Sequence, residues 1–240
     1  MDLTTTDVPA AIAFYGALFG WGDSGNLGSE AGPYQMFLLR DKPVAGVMPQ
    51  TEEQRGAGIP PAWSVYIDVP DVDVTAKSAE VGGGTTVVPP MDVLTAGRML
   101  MFRDPQGATI GCWQAREHKG SGYYGEPGAP SWIELSTTDP DAAVRFYEGV
   151  FGWTTAEQAG YRMFQVGDRP IGGLQPLPGE LAGHPAFWAA DFQVASCDQA
   201  TELAASLGAQ TLTPPTDVPG GGVRFSVLRD PQGAVFGLFE

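Results

Sequence analysis

The sequence predicts an α+β protein made of two tandem copies of one unit, with each copy built from a pair of β-α-β-β-β modules. Its 240 residues divide into two domains of ordinary size. The chain also repeats itself: residues 5–21, ending in FYGALFGW, recur as residues 137–153, ending in FYEGVFGW. Likewise RDPQGATIG at 103–111 recurs as RDPQGAVFG at 229–237. We therefore expect a first domain at 1–114, a Gly/Pro-rich linker at 115–130 and a second domain at 131–240.

The second copy opens with a strand and a helix. SWIELSTTD alternates apolar and polar residues with the period of a half-buried strand. Asp139 and Pro140 then resemble a helix cap and first turn, and the apolar residues that follow recur at helical spacing until Gly152. YRMFQV and the segment 170–174 suggest a hairpin, which leaves room for one more strand.

The second module of this copy has the same order of elements. FWAADFQV reads as a strand, Ser196 as a helix N-cap, and residues 198–207 as a helix that Gly208 stops. AQTLTPP, VRFSVLRD and AVFGLFE read as three strands, the last two joined by a DPQG turn. In the first copy, WSVYIDVPDVDVTAKSAEVGG supplies the equivalent strand and helix.

Two further groups of residues fit structural roles. Aromatic residues at helical or helix-end spacing are expected in the core: Phe14, Tyr15, Trp21, Phe146, Tyr147 and Trp153. Acidic residues in predicted loops are expected on the solvated surface: Asp23, Glu52 and Glu53.

Composition narrows the possible partners and the location. Lys and Arg total 13 against 28 Asp and Glu, giving a formal net charge of −15, which disfavours nucleic acid and anionic membrane surfaces. Cys112 and Cys197 lie in no metal-binding spacing, so we expect free buried thiols. No secretory signal or apolar run of about 18 residues is visible. We expect a cytoplasmic monomer or homodimer whose partner is a small-molecule ligand.

The order of strand, Asp, helix with FY, then GW, PPMDV and RDPQG resembles the vicinal oxygen chelate superfamily. This superfamily includes glyoxalase I, bleomycin resistance proteins and extradiol dioxygenases, and the chain is most similar to its tandem two-domain actinobacterial members. The resemblance covers nearly the whole chain twice. It implies that each domain forms a curved mixed sheet, a cup whose concave face holds the ligand.

The resemblance also implies where metal ligands would lie. On strands that precede a helix, these positions correspond to Trp132, Ser64 and Ala189. On the last strand of each domain, they correspond to Gly111 and Gly237. The strands PVAGVMP and PIGGLQP, where a further carboxylate would belong, contain no acid. The only histidines, His118 and His184, lie in predicted loops and are expected to be solvated. We therefore expect no metal and no other cofactor.

The cup lining follows from strand parity. In domain two it comprises Trp132, Glu134, Ser136, Asp191, Gln193, Val235 and Phe239. In domain one it comprises Asp2, Thr4, Ser64, Tyr66, Asp68, Thr109 and Trp113. We expect domain two to hold the functional cup, because its aromatic and acidic side chains are both in place.

Glu134 and Asp191 allow three interpretations. They hydrogen-bond neighbouring strands in a wet groove, they face a cationic or hydrogen-bonding ligand, or they act as a general acid and base beside Trp132. The favoured function is metal-independent binding of a small apolar or aromatic molecule, as in sequestration or resistance proteins. The alternatives are a metal-free isomerase, cyclase or epimerase of natural-product metabolism and, third, a metal-dependent lyase or dioxygenase.

Overall fold

The computed structural model divides the chain into two compact units, each of which draws on both copies of the repeat. Unit 1 comprises Met1–Ser64, Gly120–Trp132 and Ala190–Glu240, and unit 2 comprises Val65–Lys119 and Ile133–Ala189. The structure describes residues 1–25, 32–181, 183–218 and 222–240. The units describe packing, whereas the boundaries 1–114 and 131–240 describe the sequence repeat, and those boundaries stay a prediction.

Four β-α-β-β-β modules follow one another along the chain. The first has β1 (Asp2–Thr5), α1 (Val8–Phe19), β2 (Gly22–Asp23), β3 (Gln35–Leu39) and β4 (Lys42–Pro49), then α2 (Glu52–Gly56) and β5 (Ala62–Ser64). The second has β6 (Tyr66–Asp68), α3 (Val72–Val81), β7 (Thr85–Val93), β8 (Gly97–Arg103) and β9 (Thr109–Ala115). The third has β10 (Pro130–Thr137), α4 (Pro140–Phe151), β11 (Thr154–Gln158), β12 (Tyr161–Val166) and β13 (Arg169–Pro176), then a 3-10 turn (Gly179–Leu181). The fourth has β14 (Phe187–Gln193), α5 (Cys197–Ser206), β15 (Gln210–Asp217), β16 (Arg224–Arg229) and β17 (Val235–Phe239).

Strand order is the same in all four modules. Unit 1 contains the run β2-β3-β4-β1-β5 and, with β14 from Ala190 on, the run β14-β17-β16-β15. Unit 2 contains the run β6-β9-β8-β7 and, with β10 from Ile133 on, the run β11-β12-β13-β10. In every module the first strand therefore pairs in parallel with the last one. This mixed α+β architecture confirms the predicted fold class.

The helix starts confirm the caps predicted at Asp139 and Ser196, and Asp7 and Asp71 cap the equivalent helices of the first copy. The Asp7 and Asp139 carboxylates accept the backbone N–H groups of Ala10 and Ala142 at 3.0 and 2.9 Å. Asp71 and Ser196 cap α3 and α5 in the same way. Each cap satisfies a backbone donor that the first helical turn leaves without a partner.

Three local predictions were wrong. WSVYIDV is divided into β5 and β6, because Ala62–Ser64 pair with β1 whereas Tyr66–Asp68 pair with β9. Glu52 and Glu53 lie in the helix α2, where Thr51 and Gln54 form a capping box. Asp23 lies in β2. The three acidic side chains are nevertheless exposed, as predicted.

Each unit has an aromatic core. The six aromatic residues expected in the core are all buried, which confirms that prediction. Tyr15 stacks on Trp21 and meets Phe236 edge-on in unit 1. Tyr147 stacks on Trp153 and meets Phe164 edge-on in unit 2. The free cysteines Cys112 and Cys197 are also buried, as expected.

A Trp–Tyr–Asp hydrogen-bond chain crosses each core. In unit 2 the Trp188 indole donates to the Tyr147 hydroxyl at 2.8 Å, and that hydroxyl donates to Asp104 at 3.0 Å. The Asp104 carboxylate also accepts the backbone N–H groups of Gln106, in its own DPQG turn, and of Ala108, just after the turn. In unit 1, Trp63, Tyr15 and Asp230 repeat the arrangement. The two DPQG turns therefore anchor a helix from the other copy of the repeat.

No helix in the described ranges is both long and apolar enough to cross a membrane.

Candidate functional site

Every module places a side chain of its first strand over a glycine of the parallel neighbouring strand. The four register pairs are Asp2–Gly46, Tyr66–Gly111, Glu134–Gly173 and Asp191–Gly237. We call these pairs the glycine seats. A Cβ atom on any of the four glycines would overlap the seated side chain, so the close approach depends on the absence of one.

The glycine seats occupy the strands on which the resemblance places metal ligands. Gly111 and Gly237 hold the terminal-strand positions, and Gly46 and Gly173 lie on the strands without acids. The described part of the chain contains no group of three or more His, Cys, Asp or Glu side chains that could hold a metal ion. Because a transition metal needs at least three convergent donors, the side chains of these described residues do not fit one.

Two seats combine a carboxylate with a tyrosine. In unit 1 the Tyr34 hydroxyl donates to Asp2 Oδ1 at 3.1 Å, and in unit 2 the Tyr161 hydroxyl donates to Glu134 Oε2. Sequence reasoning missed both tyrosines. The signal was present, because each one opens a repeated segment, YQMF in the first copy and YRMF in the second.

Asp191, in unit 1, lies in a seat where no tyrosine of the described residues bonds the carboxylate. Only 8% of the residue is exposed, and among the described residues nothing donates a hydrogen bond to its carboxylate. The Ser131 hydroxyl donates instead to the Asp191 backbone carbonyl, at 3.3 Å. Burial raises the pKa of Asp191 to about 7, since desolvation disfavours the charged form. Asp191 can therefore exchange a proton near neutral pH.

An aromatic wall lies beside Asp191. The rings of Trp132 and Phe239 stack with centroids 6.4 Å apart and an interplanar angle of 17°. Gln193 is the register partner of Phe239, two residues beyond the seat of Asp191 on Gly237. We call Trp132, Asp191, Gln193 and Phe239 the Asp191 face. It combines two half-buried aromatic side chains with one buried acid.

The other predicted lining residues of domain two have more modest partners. Gln175 donates to the buried Ser136 hydroxyl at 3.3 Å in unit 2. Val235 is half-buried. The two predicted acids fall in different units: Glu134 belongs to unit 2 and Asp191 to unit 1.

In domain one, the predicted lining residues differ widely in exposure. Thr4, Ser64 and Thr109 are half-buried, and Asp68 is exposed. The Tyr66 hydroxyl lies 3.9 Å from the Met101 sulfur.

Trp113 has a partner that the sequence did not predict. Its indole donates to the His118 backbone carbonyl at 2.9 Å, and the His118 ring lies 5.8 Å from the indole. His118 lies in a loop, as predicted, but it is half-buried against Trp113 and not fully solvated. His184 is exposed, as predicted.

Asp191 should make stability depend on pH. Because its pKa is raised on folding, its contribution is most favourable below pH 4 and is lost as the pH rises through 7. When the pH rises from 5 to 8, the free energy of unfolding of the wild type should fall by on the order of 2–3 kcal/mol relative to that of Asp191→Asn. Urea unfolding at both pH values measures this difference. The exposed Asp68→Asn is the control and should follow the wild type; an Asp191→Asn curve parallel to the wild type would argue against a buried neutral acid.

Comparison with known proteins gives matches in both halves. The Glyoxalase/Bleomycin resistance protein/Dioxygenase superfamily profile matches residues 1–111, and a Glyoxalase-like domain profile matches 132–239. CFP32 of Mycobacterium tuberculosis, named provisionally as a glyoxylase, is 40% identical over all of this chain and 93% of its own length. The anthracycline biosynthesis protein DnrV of Streptomyces peucetius is 35% identical over all of this chain and 91% of its own.

Solved structures show the same fold at low sequence identity. A Mn(II)-bound glyoxalase from Novosphingobium aromaticivorans matches with a TM-score of 0.68 and 18% identity, over 99% of this chain and 79% of that one. The 2,3-dioxygenase LapB from Pseudomonas sp. KL28 matches with a TM-score of 0.68 and 15% identity, over 99% and 89%.

Proposed function

Because the chain belongs to the glyoxalase/bleomycin resistance protein/dioxygenase superfamily, we propose that it binds a small, largely apolar aromatic molecule without a metal ion, as a sequestering protein. The Asp191 face is the observation that carries this proposal. Binding sites for small molecules combine apolar area with a few polar groups that fix orientation. The Trp132–Phe239 wall offers the area, and Asp191 and Gln193 offer the polar groups.

The glycine seats support the metal-free part of the proposal. Where the resemblance implies metal ligands, this chain has glycines covered by side chains of the neighbouring strand. The strands beside these glycines therefore hold the carboxylates of Asp2, Glu134 and Asp191 in hydrogen-bonded or buried positions. These side chains are suited to contacting an organic ligand directly.

The names of two relatives support an aromatic ligand. DnrV is named an anthracycline biosynthesis protein. DauV of Streptomyces sp. strain C5, which is 34% identical to this chain, has the same name. The aromatic rings of an anthracycline form a planar fused system, and an indole or phenyl ring stacks on such a system. We take a planar fused-ring molecule as the ligand class.

Tryptophan fluorescence tests the proposal. Titration with the planar ketone 9-fluorenone should give saturable quenching, unchanged after dialysis against EDTA. Trp132→Ala should weaken binding about tenfold, or about 1.4 kcal/mol, because half of the aromatic wall is lost. Trp113→Ala, which removes a half-buried strand tryptophan of unit 2, is the matched control. Binding that requires added Mn²⁺, Fe²⁺ or Zn²⁺, or that ignores Trp132→Ala, would count against this function.

A metal-free enzyme of natural-product metabolism, an isomerase, cyclase or epimerase, is the second candidate. It is favoured by Asp191, whose pKa of about 7 suits a group that gives and takes a proton at neutral pH. If it is an enzyme, Asp191→Asn should abolish product formation while ligand binding persists, and Glu134→Gln tests the second acid in the same assay. Binding without turnover in the wild type would leave sequestration as the function.

A further inference from the structure

We propose that Asp191 meets its ligand as a neutral carboxylic acid that donates a hydrogen bond to a carbonyl oxygen. The ligand class is then an aromatic ketone or quinone and not an aromatic amine. This inference rests on the proposed function, since it assumes that the Asp191 face is where the ligand binds. It adds the chemical group that the face selects.

The surroundings of Asp191 disfavour its charged form. Of the elements that accompany it in unit 1, β17 carries no charged residue, and β14 carries only Asp191 itself. The next strand, β16, carries Arg224, which bonds Asp198 and Asp217, and Arg229, which bonds Gln210. On β1, Asp2 accepts a hydrogen bond from Tyr34. β10 contributes Pro130, Ser131 and Trp132 to this unit, none of which is charged. Glu240, just beyond β17, accepts the backbone N–H of Cys197 at 2.7 Å. A buried carboxylate without a cation or a donor costs several kcal/mol when charged, so the neutral acid is favoured.

The pKa of Asp191 agrees with this geometry. Burial is the only cause of its rise, and no neighbouring charge contributes to it. At pH 6 most of the molecules therefore carry the proton, and at pH 8 most have lost it.

A neutral carboxyl and a carboxylate select opposite ligands. The protonated acid has one O–H donor, which a carbonyl oxygen can accept. A carboxylate accepts only, and it would instead favour an ammonium group. The aromatic wall holds the ring system in either case, so the polar substituent of the ligand reports the charge state of Asp191.

Two probes with the same ring system test the proposal: 9-fluorenone, a ketone, and 9-aminofluorene, an amine. Binding is measured by fluorescence titration at pH 6 and pH 8. We expect 9-fluorenone to bind more tightly at pH 6 and to lose about tenfold in affinity by pH 8, because only the protonated fraction binds. Asp191→Asn, which stays neutral and keeps an N–H donor, should bind 9-fluorenone equally at both pH values. Asp191→Leu should bind it weakly at both.

The outcomes separate the two proposals. Binding of 9-aminofluorene at pH 6 that is tighter than binding of 9-fluorenone at the same pH would overturn the neutral-acid proposal and leave the binding function intact. The same holds for 9-fluorenone binding that strengthens as the pH rises. Equal binding of 9-fluorenone at both pH values by the wild type would overturn it as well. Failure of both probes to bind folded wild-type protein would instead overturn the proposed function, and the neutral-acid proposal with it. Circular dichroism of each variant confirms that it is folded before it is titrated.

Discussion

A chain cleaved between Lys119 and Gly120 is expected to stay together as one particle, whereas residues 1–119 and 120–240 made separately are expected not to fold as stable monomers. The reason is the composition of the compact units. Both units take residues from each side of the cut. Cleavage therefore breaks no unit apart, but separate production deprives both units of part of their core.

The contacts that a separated fragment would lose are buried. In unit 1, Tyr15 bonds Asp230 across 215 residues of sequence, and Phe19 packs against Phe192 with ring centroids 5.3 Å apart. In unit 2, Tyr147 bonds Asp104. Exposing such aromatic surface to water costs about 25 cal/mol per Å², which marginally stable domains cannot absorb.

A protease site inserted between Lys119 and Gly120 allows the measurement. After cleavage, size-exclusion chromatography should show both fragments in one peak at the size of the uncut chain, and urea should separate them. The fragments produced alone should aggregate, self-associate or bind a hydrophobic dye, and mixing them should restore a single complex. Two folded monomeric fragments that elute separately would contradict the interleaved units.

The substitution Tyr147→Phe is expected to lower the free energy of unfolding by about 2–4 kcal/mol. It removes the hydroxyl that donates to Asp104 and accepts from Trp188, and so leaves a buried indole N–H without a partner. Tyr15→Phe should have a similar effect in unit 1, where Asp230 and Trp63 lose the same bonds.

Urea unfolding followed by near-ultraviolet circular dichroism measures this loss. Tyr124→Phe is the control, because that residue is 57% exposed and surface substitutions change stability by about 0.5 kcal/mol or less. Adding Trp188→Phe to Tyr147→Phe removes the orphaned donor, so the double variant should be less destabilised than the sum of the two single ones. Strict additivity would show that the chain of hydrogen bonds does not act as a unit.

Local patterns predicted most of the secondary structure. Alternation identified strands such as β10, and Asp139 with Gly152 marked the ends of α4, because caps and periodicity act over a few residues. The helix α2 was missed since its polar sequence has no apolar face, although Thr51 and Gln54 carry a capping-box pattern.

The arrangement of the modules could not be predicted from local patterns. A head-to-tail repeat suggests that each copy packs upon itself, but Tyr15 and Asp230 meet although nothing in their neighbouring residues indicates it. In the site, strand parity placed Glu134 and Asp191 on the same cup lining and gave no reason to assign them different roles. The structure distinguishes them, because Tyr161 bonds Glu134 whereas burial without such a donor raises the pKa of Asp191.

A crystal structure of the wild-type protein with 9-fluorenone at pH 6 tests the central claim most directly. We predict that the ring system lies against Trp132 and Phe239, with the ketone oxygen at hydrogen-bond distance, about 2.5–3.0 Å, from the Asp191 carboxyl group. No metal ion should bridge the ligand and the glycine seats. A probe bound elsewhere, or held through a metal at these strands, would contradict the account.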